Sequence, residues 1–156
     1  MDYKKILEDA REDPSLFSMI DVDKLLEKVD NSTHLENKTI ASIARDIHDA
    51  IAESNVSDEL LQKLCNSLIG YRHVDKICDL LFGRKTMWIK RDKPTQLRGG
   101  NSYILRIDIK DNGIYFLSRT YNGQFYILKF DDYIIFQKLT TEEQLVLMSY
   151  EYAQNG

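Results

Sequence analysis

The chain has 156 residues, 43% hydrophobic and 29% charged, with two cysteines and a formal net charge of −4 at pH 7. That balance excludes wholesale disorder and a disulfide scaffold, and no apolar run approaches the roughly 20 residues of a bilayer-spanning helix. A chain of this length can bury about 70% of its unfolded surface, enough for a real core.

Tyr3, Ile6, Leu7 and Ala10 recur at helical spacing until Asp13-Pro14 interrupts them, because the residue before a proline is pushed out of the helical region. Met1-Asp2-Tyr3-Lys4-Lys5 thus leads into an amphipathic pattern rather than a signal-peptide core, and a cytoplasmic protein is expected. Leu16, Phe17, Ile20, Leu25, Leu26 and Val29 resume the helical spacing, as a second helix or as one split by a fresh turn at Asp21-Val22-Asp23, followed by a loop over 31–37. Thr39 to Ala52 places Ile40, Ile43, Ala44, Ile47, Ala50 and Ile51 on one stripe. Ser57 is placed to cap a fourth helix whose buried face is Leu60, Leu61, Leu64, Leu68 and Ile69, with Gly70 ending it. Val74, Ile77, Cys78, Leu81 and Phe82 predict a fifth, closed by Gly83. Cys65 and Cys78 fall among the apolar residues of these helices and read as buried thiols.

After Gly83 the pattern becomes alternating. Thr86 to Asp92 suits a strand, Lys93 to Asn101 a loop around Pro94 and Gly99-Gly100, and four further strands are predicted at 102–110, 114–121, 124–130 and 133–138. Thr140 with Glu143 three residues on is a capping-box pattern that opens a terminal helix through Leu145, Met148 and Tyr152. The expected fold class is α+β: an N-terminal bundle of about five short helices packed on a C-terminal antiparallel β-meander of four to five strands, curled toward a small barrel, with a terminal helix. Residues 1–83 form an acidic helical subdomain (10 Lys or Arg against 17 Asp or Glu, −7) and residues 84–156 a basic β-meander subdomain with the C-terminal helix (11 against 8, +3). Opposite charge and the absence of a flexible linker predict that they dock as one cooperative body.

Asn112-Gly113 and Asn122-Gly123 each lie between alternating runs and suit two-residue type I′ turns. That loop length would set Ile109 opposite Phe116 and Ile107 opposite Ser118, then Ser118 opposite Ile127 and Thr120 opposite Phe125. One face, with Tyr103, Leu105, Ile107, Ile109, Phe116, Phe125 and Ile127, becomes the core. The other carries Tyr115, Leu117, Tyr126, Leu128 and Phe130, with Arg106 directly across from Arg119. Two facing arginines are destabilising unless something negative lies between them. Either a carboxylate such as Asp108 neutralises them under a cover of helices, or Arg106, Arg119, Tyr115, Tyr126 and Phe130 form an exposed platform for an acidic peptide or for nucleic-acid bases and phosphates. A three-residue turn would shift this register and separate the arginines.

Arg84 to Lys110 adds a local charge of +6, with Lys90, Arg91 and Arg98 as further candidate contacts and Trp88, the sole tryptophan, as a flanking aromatic. No phosphate loop, metal-ligand spacing or nucleophile–base pair is found, so no cofactor, metal or catalytic residue is nominated; His34, His48 and His73 suit helix-surface, loop or capping roles. The leading expectation is a non-enzymatic interaction or regulatory protein with a protein partner and no membrane association. A nucleic-acid-binding protein using residues 84–110 and the aromatic sheet face is the alternative, and an enzyme whose residues converge only in three dimensions is a third reading. The abundance of Ile, Lys, Asn and Tyr suits an AT-rich genome such as that of a phage or virus. Oligomeric state is left open.

Overall fold

The structure is a computed structural model that describes Leu35 and residues 38–155. Both helices expected before residue 30 lie outside the described residues. Two compact units divide the chain: Ala41–Leu139, and a second joining Thr140–Gly156 with Met1–Ile40.

Helix α1 (Ile40–Ala52), in the larger unit from Ala41 on, buries Ile43, Ile47, Ala50 and Ile51 along one stripe. Helix α2 (Asp58–Ser67) begins where the Ser57 hydroxyl accepts the Leu60 N–H at 3.2 Å, and Asp58 and Glu59 in its first turn complement the helix dipole. Six strands follow: β1 (Tyr71–Val74), β2 (Lys85–Lys90), β3 (Arg98–Lys110), β4 (Gly113–Thr120), β5 (Phe125–Lys129) and β6 (Tyr133–Lys138). They form one sheet in the order β1-β6-β2-β3-β4-β5, antiparallel at every contact and not closed.

The expected five-helix N-terminal bundle is therefore corrected: the described residues hold three α-helices and this open six-stranded sheet. The segment read as a fifth helix is instead the end of β1, one 3₁₀ turn at Ile77–Asp79 and irregular chain. Nine residues are too few to hold a helix without strong packing, whereas Arg72 and Val74 alternate with Tyr71 and His73 and complete a ladder on β6. Pairing thus runs across residue 83. Phe82 and Ile69, expected on buried helix faces, are exposed, and so is Cys78.

The sheet is strongly curled, as its connectivity demands. Strands β5 and β6 point the same way, yet only Phe130–Asp132, a 3₁₀ turn, joins them. Four peptide steps reach at most about 14 Å, while four strand spacings in a flat sheet are about 19 Å. Curling closes that gap and brings Trp88 of β2 within 6.3 Å of the Phe116 ring on β4 and 5.8 Å of Tyr126 on β5. The concave side holds one core of Val74, Leu80, Trp88, Ile104, Phe116, Leu128 and Ile135. The convex side of β6 and β2 meets α1 and α2 in a second core, where Ile89, Ile134 and Phe136 pack with Ile47, Ile51, Leu64 and Leu68.

One buried amide ties the irregular segment to the concave side. Gln137, wholly buried, donates to the Leu81 carbonyl at 2.8 Å and to Thr86 Oγ1 at 3.0 Å, and accepts from the Leu81 N–H at 2.9 Å and from Arg72 Nη2 at 3.0 Å. Arg72 donates again to the Asp79 carbonyl at 2.6 Å. Every donor and acceptor position of the amide is used.

In the second unit, helix α3 (Thr141–Asn155) opens on a capping box. The Thr140 hydroxyl accepts the Glu143 N–H at 3.1 Å, and the Glu143 carboxylate accepts the Thr140 N–H at 2.9 Å.

Candidate functional site

Two hairpins and a bulge decide which side chains leave the sheet on which face. The β3–β4 loop is Asp111-Asn112, with Lys110 facing Gly113, so Asp108 faces Tyr115, Ile107 faces Phe116 and Arg106 faces Leu117. A bulge at Leu105 then moves the register by one, and Ile104 faces Ser118 while Tyr103 faces Arg119. The β4–β5 connection has three residues, Tyr121-Asn122-Gly123. Thr120 N–H donates to the Gln124 carbonyl at 2.8 Å, Gly123 N–H to the Thr120 carbonyl at 3.0 Å, and the Thr120 hydroxyl accepts the Gln124 N–H at 2.9 Å. Gly123, at φ +89°, occupies the left-handed position that ends such a loop.

The extra loop residue turns β5 over relative to the two-residue expectation, because a one-residue slip exchanges the faces of a strand. Leu128 faces Phe116 and Tyr126 faces Ser118 on the concave side, whereas Ile127 faces Leu117 and Phe125 faces Arg119 on the convex side. Of the residues expected in the core, Tyr103, Leu105, Phe125 and Ile127 reach solvent on the convex side, and Ile109, beside the β3–β4 loop, is exposed as well.

The sequence candidates divide accordingly. Arg106 and Arg119 share the convex face but do not oppose each other. Arg106 Nε lies 3.0 Å from the Asp108 carboxylate, and the Arg119 guanidinium carbon lies 5.5 Å from the centre of the Phe125 ring. Tyr115 joins them between Asp108 and Lys129, with Lys110 Nζ 4.9 Å from its ring centre. Tyr126 and Phe130 belong to the concave side, and Trp88, 2% exposed, is a core residue there. Lys90 is exposed at the end of β2 with Nζ 3.9 Å from Asp92; Arg91 is exposed just beyond it, its N–H bonded to the Asp132 carbonyl; Arg98 is exposed opposite Trp88. The single aromatic-and-arginine platform is thus split between two faces.

What the fold does assemble is a different surface. Helices α1 and α2 cover the convex side of β6 and β2, and β3, β4 and β5 continue beyond them. On that continuation Leu105 is 49%, Phe125 59% and Ile127 62% exposed, with Tyr103 and Leu117 between them. Arg106, Lys110, Arg119 and Lys129 rim this apolar strip, and Asp108, held by Arg106, is the carboxylate among them. Alternation through β3 and β5 pointed to this apolar row but assigned it to the interior. The sequence carries no mark of the bulge at Leu105, and Tyr121-Asn122-Gly123 reads equally as a two- or a three-residue loop.

Strand β5 is also a sheet edge. The bond between Thr120 and Gln124 fixes its phase: bonded and non-bonded pairs alternate, so Tyr126 and Leu128 bond to β4, while Phe125, Ile127 and Lys129 turn their N–H and C=O groups to the open side.

Elsewhere the titratable groups stand apart. His73 sits on the convex side of β1, 5.8 Å from the Phe136 ring; burial lowers its pKa below the ordinary 6.5, partly countered by Asp75. His48 is exposed, 3.4 Å from Asp49, and His34 lies outside the described residues. Burial raises the Cys65 thiol. Among the described residues no three His, Cys, Asp or Glu side chains gather closely enough to hold a metal ion, and no helix is long and apolar enough to cross a membrane. No protein-family model, curated protein or solved structure gives a match to the chain.

Proposed function

We propose that this is a non-enzymatic interaction or regulatory protein, acting in the cytoplasm, that binds a protein partner through the convex face of β3, β4 and β5. The observation that carries the reading is the apolar strip of Tyr103, Leu105, Leu117, Phe125 and Ile127, left outside the helical cover and rimmed by cations. Aliphatic and aromatic side chains surrounded by arginines have the composition of protein contact surfaces. The Ile-, Lys-, Asn- and Tyr-rich composition suits an accessory factor of a phage or virus.

Protein is favoured over nucleic acid because base-stacking sites need free ring faces in a row. Here Leu105 and Ile127 are aliphatic, Arg119 lies over Phe125, Lys110 lies over Tyr115, and Trp88 is buried.

The test is affinity purification of the tagged full-length protein from its native cell, with and without nuclease, beside a double charge reversal at Arg106 and Arg119. A protein retained after nuclease treatment and lost on charge reversal, with the circular dichroism spectrum unchanged, supports the reading. Nuclease-sensitive recovery, or retention that ignores the reversal, refutes it.

A further inference from the structure

Resting on that reading, we infer that the partner binds by adding an extended strand to the free edge of β5, and that this strand alternates acidic and apolar residues. The N–H and C=O groups of Phe125, Ile127 and Lys129 point away from β4, and their side chains all stand on the convex face. An exposed apolar edge strand is a ready template for another chain. Residues of the incoming strand that bond to this edge place their side chains beside Phe125, Ile127 and Lys129, because directly paired residues share a face.

Charge then selects the occupant. A residue opposite Ile127 meets an apolar side chain and extends the strip through Leu117. A residue opposite Lys129 meets an ammonium group, and one opposite Phe125 meets the ring over which Arg119 lies. Carboxylates at those two positions complement the rim, giving the pattern acidic–any–apolar–any–acidic. A second copy of this chain fits poorly. Antiparallel self-pairing about Ile127 sets Lys129 of each copy against Phe125 of the other, beside its Arg119, with Asp108 already engaged by Arg106.

The experiment is selection of random twelve-residue displayed peptides on the full-length protein, followed by synthesis of the best binder with single N-methyl groups along its backbone. Strand addition predicts enrichment of the acidic–apolar alternation. N-methylation at the residues facing Phe125, Ile127 and Lys129 should weaken binding at least tenfold, and at the intervening residues by less than threefold. Amide hydrogen exchange at Phe125, Ile127 and Lys129 should slow at least tenfold in the complex. Peptides that bind this face, lose affinity on charge reversal at Arg106 and Arg119, and yet show no alternating N-methyl effect overturn strand addition while leaving the contact surface standing. Failure to enrich any peptide, with binding of a 20-residue oligothymidine instead, overturns both. A peptide-free dimer in which the same three amides are protected overturns the acidic occupant in favour of a second copy.

Discussion

Replacing Gln137 with Leu should be among the most damaging single changes open to this chain, because it removes four hydrogen bonds and almost no volume. Two of them serve Leu81, whose N–H and C=O meet the amide at 2.9 and 2.8 Å. Thr86 keeps its bond to the Arg84 carbonyl at 2.9 Å, and Arg72 keeps the Asp79 carbonyl. The penalty therefore falls mainly on the two Leu81 backbone groups, each costing about 1–3 kcal/mol when desolvated and unpaired. The net loss is about 3 kcal/mol after the apolar side chain recovers some transfer energy. A urea slope of about 1.5–2 kcal/mol per M for a chain this size turns that into a midpoint lowered by about 1.5–2 M. Equilibrium unfolding in urea followed by Trp88 fluorescence gives the global number, and amide exchange over residues 75–84 shows whether the irregular segment opens first. A midpoint within about 0.3 M of the parent, or unchanged exchange in that segment, would refute the idea that this amide fastens the segment to the sheet.

Gly99, at φ +99°, would place an added Cβ 2.7 Å from Trp88 Cζ3 and 2.8 Å from the Thr86 carbonyl oxygen, so Gly99→Ala combines backbone strain with overpacking and should cost about 2–4 kcal/mol. Gly100→Ala has open space and should lose about 1 kcal/mol, a contrast that thermal melts read directly. Thr140→Ala removes the hydroxyl half of the α3 capping box and should destabilise by about 1 kcal/mol in urea unfolding. His73 is held below its ordinary pKa by burial, with Arg91 acting in the same direction and Asp75, Asp46 and Glu53 opposing. The unfolded chain then takes up a proton first as pH falls, so the stability His73 contributes is complete above about pH 6.5 and declines below it. His73→Phe should flatten that decline between pH 6.5 and 5; an equally steep fall in the variant would place the acid sensitivity elsewhere.

The elements that were legible in the sequence are those whose side chains report their own environment. The stripe of Ile43, Ile47 and Ile51, the hydroxyl of Ser57 before Leu60 and the Thr140–Glu143 pair each act within one turn of helix, and each is found in place. Strand β1 was hidden because four residues, Tyr71 to Val74, are too short to establish alternation, and the apolar residues just after them fall at helical spacing by coincidence. The site was misplaced for a sharper reason. Face assignment along β3 and β5 depends on single-residue differences in loop length and on one bulge, and neither Leu105 nor Tyr121 carries a chemical signature of the choice. Trp88 belongs in the same class: alternation located it on a strand, but only the curl of the sheet turns that side of β2 inward.

That curl also accounts for the uncovered surface. An outward-bending sheet presents more area on its convex side, where α1 and α2, about 20 and 15 Å long, are the described helices that pack. Two helices lying side by side span about 20 Å, enough for three or four of the six strands. Leu105, Phe125 and Ile127 are exposed on the part these two helices do not reach, and an apolar strip ending at an open edge would promote self-association if nothing opposed it. Arg119 over Phe125, Lys110 over Tyr115 and Lys129 on the edge strand, with Arg106 paired to Asp108, would oppose it by like-charge repulsion between copies. The same arrangement would attract a chain of opposite charge, so the residues that would hold copies of this protein apart are the ones that would admit an acidic strand.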